Sequence, residues 1–285
     1  MVAKDELIPP RASLPPYARR GDFKQKGEEF LQTCIQRGGL QPGDRVLDLG
    51  CGVGRFAVAL TGYLNDRGTY VGIDVSARSI RLARVWIGSK DSRFRFRRVP
   101  AHNAMYNPGG ELAASDYRLP FRNNTFDFAF SNSLFTHLLP DATINYIREI
   151  SRVLKPGGRT LNSMFLLNDE VRALIESGRC PTTLPNDMGC YRTKRADLPE
   201  ALVVYEENFL VKLHQDVGLA LFGPVRFGAW SGRTSQDEGF GDKDLVTARK
   251  SEAALGHRAP AYVDRRQFRA RDLVARLRRR FRGAR

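Results

Sequence analysis

Residues 45–56 of this 285-residue chain, RVLDLGCGVGRF, hold the feature that most restricts its fold. An apolar run that contains one acid, Asp48, is followed by glycines at three alternate positions, Gly50, Gly52 and Gly54. Glycine accepts positive φ angles and lets the backbone turn tightly or approach another group closely. The pattern therefore predicts a buried strand over 45–49, a tight turn, and a helix over about 55–64.

Strand-like and helix-like segments alternate through most of the chain. Helices are predicted over 21–39, 77–87, 141–154 and 206–217, and strands over 69–73, 94–99, 126–131 and 159–166. A turn is expected at Lys155-Pro156-Gly157-Gly158, and the segments 223–232 and 243–250 are expected to pair as an antiparallel hairpin. Alternation of this kind is typical of parallel crossover units, so we expect an α/β fold with a doubly wound, mostly parallel sheet.

The composition divides the chain into three regions. Residues 1–20 contain two Pro-Pro pairs and are predicted to be a disordered or extended lead-in, and residues 21–250 to form one domain. Within that domain the polar and aromatic segments 101–116 and 168–200 are predicted to be irregular lids, here called the first and second lid segments. Residues 251–285 form a separate basic tail.

The tail holds eleven arginines and three acids, more than half of the net charge of +15. At 100° per residue, Ala270, Leu273, Val274, Leu277 and Phe281 share one arc, which predicts a basic amphipathic C-terminal helix. Such a helix suits an anionic membrane surface or an acidic partner, bound through residues 258–285. A solvated helix lying against the domain is the other interpretation.

No signal-like segment or long apolar run is present, so the chain is expected to be cytoplasmic, with possible attachment to the inner face of the membrane. The four cysteines, Cys34, Cys51, Cys180 and Cys190, are scattered and form no CxxC pair. They indicate neither a disulfide framework nor a metal site, and no metal is predicted.

The spacing of the glycines and acids indicates the ligand. Ligands of parallel sheets bind beyond the carboxyl ends of the strands, and dinucleotides use a GxGxxG turn there, whereas this chain has GxGxG. Asp74 ends the second predicted strand, where its carboxylate can accept both hydroxyls of a ribose. Asp48 suits an ammonium group, directly or through water, better than a pyrophosphate. A ligand with a cationic amino-acid end and a ribose is S-adenosylmethionine.

Four segments in order, VLDLGCGVGR, GIDVS, DYRLPFRNNTFDFAFSNSLFTHL and REISRVLKPGGR, resemble the successive motifs of the class I S-adenosylmethionine-dependent methyltransferases. The resemblance covers about residues 39–166 and implies a seven-stranded sheet whose final strand is antiparallel. It also implies a set of cofactor contacts. Gly50, Cys51 and Gly52, with Gly54 closing the turn, would line the methionine moiety, Asp74 would bind the ribose, Val75 would flank the adenine, Asp116 and Tyr117 would lie at the adenine edge, and Ser131, Asn132 and Ser133 would face the methionine end and the acceptor.

These residues also have ordinary structural interpretations. Gly50 and Gly52 could serve only a tight turn, and Asp74 could cap the next helix ahead of Ser76. Four motifs at family-like spacing favour the cofactor site.

The sequence indicates less about the methyl acceptor than about the cofactor. His137 is the candidate general base for an alcohol acceptor, although it could instead be a hydrogen-bonded residue at the start of a helix. His102, in the first lid segment, could contact substrate. Motifs of nucleobase methylators are missing, which makes a nucleic-acid acceptor less favoured.

The predicted function is methyl transfer to oxygen of a small-molecule, glycan or lipid-linked acceptor. The alternatives are an RNA methyltransferase steered by the tail and a non-catalytic cofactor-binding subunit. A nicotinamide oxidoreductase fits the glycine spacing and Asp48 least.

Overall fold

A computed structural model describes residues 3–233 and 239–252 of the chain. The predicted amphipathic helix and the partner contacts assigned to residues 258–285 therefore lie outside the described residues. Among the residues described, no helix is long and apolar enough to cross a membrane.

The centre of the molecule is a seven-stranded sheet in the order β10-β11-β5-β4-β1-β2-β3. β11 runs antiparallel to both of its neighbours, while β1 to β5 pair in parallel. The doubly wound α/β fold with an antiparallel final strand is confirmed. The strands of this sheet are β1 (Arg45–Leu49), β2 (Thr69–Asp74), β3 (Phe94–Arg98), β4 (Phe126–Ser131), β5 (Leu154–Met164), β10 (Leu219–Leu221) and β11 (Asp244–Lys250).

Helices cover both faces of the sheet because alternate residues of each strand point to opposite sides. In β1, Val46 packs into one core with α1, α2 and α3, whereas Leu47 and Leu49 pack into the other with α4 and α6. The helices are α1 (Phe23–Gln36), α2 (Arg55–Thr61), α3 (Ala77–Ala83), α4 (Pro140–Val153), α5 (Asp169–Glu176) and α6 (Glu207–Asp216), and a π-helical turn, Arg84–Gly88, extends α3.

A second, four-stranded sheet lies partly within the region that the sequence pattern predicted to be irregular. It has the order β6-β9-β8-β7, from β6 (Leu166–Leu167), β7 (Asn186–Asp187), β8 (Tyr191–Thr193) and β9 (Val203–Glu206). The second lid segment thus contains α5 and two short strands, and its prediction as irregular was wrong. Its side chains pack on a small apolar core of their own with Trp230, and strands of two or three residues are too short to show a sequence period.

Two local predictions near β5 and β11 were also wrong. Lys155-Pro156-Gly157-Gly158 lies inside β5 as a bulge, since Phe126 pairs with Leu154 and Phe128 with Arg159. Only Arg226 of the segment 223–232 makes a bridge to β11, and β10 at Leu219–Leu221 is the true partner. The segment turns away because Asp244 accepts hydrogen bonds from Gly228 N and the Trp230 indole.

Residues 3–20 are folded against the domain, where a disordered or extended lead-in was expected. They form three 3-10 turns, Lys4–Leu7, Arg11–Ser13 and Pro16–Arg19. Leu7, Leu14 and Ala18 are buried in the core beneath α1 and α2. The prolines thus begin or precede short turns, and the apolar residues between them anchor the segment.

Candidate functional site

The turn after β1 places glycine backbone at the carboxyl edge of the sheet. Gly50, Gly52 and Gly54 have φ angles of 82°, 54° and 85°, in the left-handed region that favours glycine. The N–H groups of Gly50 and Cys51 both donate to the Ile73 carbonyl, at 2.8 and 3.0 Å, which ties the turn to the end of β2. Gly54 then begins α2, so this edge presents a glycine loop leading into a helix.

Asp74 is held at the same edge by two backbone donors. Its Oδ2 accepts from Gly52 N at 2.8 Å and its Oδ1 from Ser76 N at 2.7 Å, while Ser76 itself caps α3. Each carboxylate oxygen has a second lone pair, so a fixed Asp74 can still accept two hydroxyl groups. Burial raises the pKa of Asp74, opposed by these hydrogen bonds. Val75 follows it and packs, half-buried, against the core.

Asp48 lies inside the core, one residue before the end of β1. It has no exposed surface, its Oδ2 accepts from the Tyr70 hydroxyl at 2.6 Å, and its Oδ1 has no hydrogen-bond partner. Burial raises the pKa of Asp48 to about 8. In this conformation a ligand ammonium cannot touch Asp48 directly, so the predicted contact would need an intervening donor such as water.

The end of β4 forms a small hydrogen-bonded cluster. Ser131 is buried and donates to Asn162 Oδ1 at 2.9 Å. Ser163 Oγ donates to Asn132 Oδ1 at 2.8 Å and accepts from Ser133 N at 2.8 Å. Ser133 has a φ of 66°, a conformation that a non-glycine residue keeps only when its surroundings impose it. The sequence pattern did not indicate the β5 residues Asn162 and Ser163.

Asp116 and Tyr117 lie in different environments. Asp116 is exposed, whereas Tyr117 is 8% exposed and belongs to the core cluster that includes Ile73 at the end of β2. The carbonyl of Tyr117 accepts from Asn145 of α4 at 2.8 Å, which fixes the backbone there.

His137 lies where the two lid segments meet. Its Nδ1 is 2.9 Å from the carbonyl oxygen of Glu200, and its Nε2 is 3.4 Å from the hydroxyl of Tyr106. A carbonyl only accepts, so Nδ1 carries the proton and Nε2 presents its lone pair. Burial lowers the pKa of His137 and keeps the ring neutral at pH 7.

The comparisons with known proteins agree with this geometry. Residues 47–161 match the family model described as a methyltransferase domain. Residues 47–161 are therefore a methyltransferase domain of the class I, S-adenosylmethionine-dependent kind. In fold, the chain is similar to an S-adenosylmethionine-dependent methyltransferase from Methanosarcina mazei, at 23% identity and a TM-score of 0.50 over 74% of this chain and 94% of that one. It is also similar to the PH0226 protein of Pyrococcus horikoshii OT3, at 20% identity and a TM-score of 0.55 over 84% and 99% of the two chains.

Among curated proteins, the chain is similar to the demethylmenaquinone methyltransferase of Bacillus cereus strain B4264. The two are 28% identical over 122 residues, which is 43% of this chain and 45% of the relative. The chain therefore spans less than half the length of the curated relatives it matches.

The residues at this edge fit S-adenosylmethionine, the cofactor of the matched family. Asp74 keeps acceptor capacity for a ribose, and the buried, unpartnered Asp48 Oδ1 could reach the ligand only through an intervening donor such as water. At Gly50, Gly52 and Gly54 the loop between the two aspartates carries no side chains. The loop and Asp74 would therefore hold the cofactor along the ends of β1 and β2.

The surroundings of His137 include residues that the sequence pattern did not single out. Asn103 donates to the His137 carbonyl at 3.1 Å, and Ala104 N donates to Glu200 Oε2 at 2.5 Å. These contacts join the first lid segment to the second over His137. Each contact links residues more than thirty positions apart, so no local pattern could have indicated them.

The substrate contact of His102 stays a prediction, and the two later cysteines lie in different environments. The side chain of His102 is exposed, Cys190 is buried, and Cys180 Sγ contacts the Thr182 carbonyl at 3.3 Å. Over residues 3–233 and 239–252, no group of three or more His, Cys, Asp or Glu side chains is placed to hold a metal ion.

Proposed function

We propose that this protein transfers a methyl group from S-adenosylmethionine to an oxygen atom of a small-molecule, glycan or lipid-linked acceptor, with His137 as the general base. The observation behind this proposal is the contact of His137 Nδ1 with the Glu200 carbonyl at 2.9 Å. It assigns the proton to Nδ1 and leaves Nε2 as a base beyond the carboxyl end of β4.

The proposed chemistry follows from that arrangement. S-adenosylmethionine supplies an electrophilic methyl group on a sulfonium. The acceptor hydroxyl loses its proton to His137 Nε2 as its oxygen forms the new bond to the methyl carbon, and the carbon–sulfur bond breaks to leave a neutral thioether. The lowered pKa of His137 supports this role because the ring is neutral before the reaction. Glu200 stabilises the imidazolium afterwards through its carbonyl oxygen.

The surface beside His137 supports an acceptor with apolar parts. Met105, Tyr106 and Leu112 of the first lid segment are each at least 40% exposed, although large apolar side chains usually avoid water. The curated relatives are named demethylmenaquinone methyltransferases, so demethylmenaquinone is one acceptor to test. Menaquinone carries the added methyl group on a ring carbon, so its formation would contradict transfer to oxygen.

An RNA acceptor is the second candidate, and one feature of the surface favours it. Arg95, Arg97 and Arg98 of the edge strand β3 are exposed, as is Arg118 nearby in sequence. Phosphate contacts by such residues would make RNA binding steeply dependent on salt. A binding constant that is unchanged between low and moderate salt would contradict this candidate.

The place of the protein in the cell is also part of this proposal. We infer a cytoplasmic protein that associates with the inner face of the membrane through residues 258–285. Deletion of the residues after Gly256 should abolish sedimentation of the protein with anionic vesicles. Unchanged sedimentation would contradict the inference.

The activity can be tested by uptake of a radiolabelled methyl group from S-adenosylmethionine into fractionated glycan, lipid and small-molecule extracts. His137→Ala should lower uptake by about 100-fold or more, the usual contribution of a general base. Asp66→Asn is the control because Asp66 is exposed and lies outside both lid segments. Equal activity of the His137 variant and the wild type would contradict the assigned base, and label in RNA alone would favour the second candidate.

A further inference from the structure

Tyr17, in the folded N-terminal segment, lies directly on the glycine loop. A Cβ atom built on Gly52 would be only 2.7 Å from the Tyr17 hydroxyl oxygen. The same hydroxyl is 3.2 Å from Ser79 Oγ on α3. Tyr17 therefore spans the gap between the ends of β1 and β2, although it is thirty residues outside the matched methyltransferase domain.

The position of Tyr17 is fixed by contacts on both sides of it. Arg55, at the start of α2, donates to the Ala18 carbonyl at 2.9 Å, and Arg78 of α3 donates to the Ser13 carbonyl at 3.0 Å. Leu14 and Ala18 on either side are 3% and 1% exposed. The segment thus crosses from α3 to α2 over the glycine loop and holds the Tyr17 ring there.

The surroundings of the hydroxyl define what it can bind. Tyr17 is 43% exposed as a residue, but its hydroxyl lies against the glycine loop. Desolvation there, with Asp74 and Cys51 nearby, raises the pKa of Tyr17, so the phenol stays protonated at neutral pH. A protonated phenol both donates and accepts, and so does a ribose hydroxyl. Asp74 could accept such hydroxyls, and the Tyr17 hydroxyl lies close to Gly52, whose N–H donates to Asp74.

We propose that Tyr17 is a further cofactor-binding residue, whose hydroxyl bonds to the ribose of S-adenosylmethionine opposite Asp74. Its hydrogen bond to Ser79 holds the ring in place for this contact. The inference depends on the cofactor and not on the acceptor or the base. The N-terminal segment is then one wall of the cofactor site.

The test is calorimetric binding of S-adenosylhomocysteine and 5′-methylthioadenosine to the full chain. Tyr17→Phe keeps the ring and removes only the hydroxyl, so the dissociation constant for both ligands should rise by roughly 3- to 10-fold, the effect of one hydrogen bond. The loss should be equal for the two ligands because 5′-methylthioadenosine retains the ribose and lacks the amino-acid end. Tyr17→Ala should weaken binding further.

Tyr63→Phe is the matched control. The Tyr63 hydroxyl donates to the Leu40 carbonyl at 2.8 Å, away from the carboxyl edge, so the same chemical change there should leave both constants unaltered. Thermal unfolding of each variant close to that of the wild type shows that the fold is intact.

The remaining outcomes separate the possible failures. If the wild type binds and Tyr17→Phe binds as well or more tightly, Tyr17 is not a ligand and the inference is overturned. A loss confined to S-adenosylhomocysteine would overturn the ribose assignment. A wild type that binds neither ligand would overturn the cofactor assignment, and the inference with it.

Discussion

The hydroxyl of Tyr70 donates to Asp48 at 2.6 Å, and both side chains are wholly excluded from solvent. The pair lies beneath the glycine loop, where Cys51 Sγ would be 2.8 Å from a Cβ on Gly72. Asp48 thus has one satisfied oxygen and one that is not. The protonation of Asp48 should therefore change the stability of the folded protein, which can be measured.

Ionisation of Asp48 should destabilise the empty protein as pH rises. Burial raises the pKa of Asp48 from 3.8 to about 8, so between these values the folded protein binds one proton more than the unfolded chain. Stability from this group is therefore greatest below about pH 4 and is lost towards pH 8, by at most about 1.4 kcal/mol per pH unit.

Asp48→Asn isolates this effect because it keeps an acceptor for Tyr70 and cannot ionise. Urea unfolding at pH 6 and pH 8.5 should show a smaller loss of stability in the variant than in the wild type. Asp66→Asn, at an exposed position, serves as the control. Identical pH dependence in all three proteins would show that Asp48 does not titrate in this range.

Removal of the Asp74 carboxylate should strongly weaken cofactor binding. Asp74→Ala deletes both the ribose acceptor and the group that orients the Gly52 N–H. We expect roughly 100-fold weaker binding of S-adenosylhomocysteine in calorimetry, since bonds to charged groups are worth more than neutral ones. Asp91→Ala is the control, because Asp91 pairs with Arg93 at the opposite edge of the sheet. Binding of NADH by the wild type would instead point to a nicotinamide site.

Alanine at Gly54 should destabilise the fold more than alanine at Gly178. Both glycines have positive φ, 85° and 68°, but a Cβ on Gly54 would lie 2.5 Å from Ile87 Cδ1 while one on Gly178 would meet nothing within 4 Å. Gly178→Ala should cost about 1 kcal/mol for the backbone alone. Gly54→Ala should cost about 2–4 kcal/mol in urea unfolding, because a packing clash is added. Equal costs would mean that Ile87 moves aside freely.

The carboxylate of Asp244 should contribute strongly to the stability of the fold. Its carboxylate accepts from Leu166 N at 2.7 Å and from Gly228 N and Trp230 Nε1 at 2.8 Å each. Asp244→Ala leaves three buried N–H groups without a partner, so the free energy of unfolding should fall by about 3 kcal/mol or more. Tryptophan fluorescence in urea measures this, with exposed Asp242→Ala expected to be neutral.

The sequence predicted the parts of the site that depend on local pattern. The glycine spacing and the acid at the end of the second strand, Asp74, are each visible in a short stretch of sequence. The structure places both at the carboxyl edge of β1 and β2. The strand and helix order of residues 45–154 follows from the same short-range periodicity.

The remaining parts depend on contacts that a linear pattern does not contain. Tyr17 reaches Ser79 across 62 positions, and His137 reaches Glu200 across 63. The strands β7 and β8 have only two and three residues, and the bulge at 155–158 has the composition of a turn. Packing against distant residues decides each of these features.

The last strand of the sheet is an interior strand. β11 lies between β5 and β10, so β5 has an open edge until residues 244–250 have been synthesised. That edge includes Leu161 and Met164, which are fully buried in the finished protein. Unpaired strand edges promote aggregation, and partly made chains expose them longest. We therefore expect this sheet to be completed on the ribosome only after nearly the whole described chain has been made, and the demand for chaperones to be greatest just before β11 emerges.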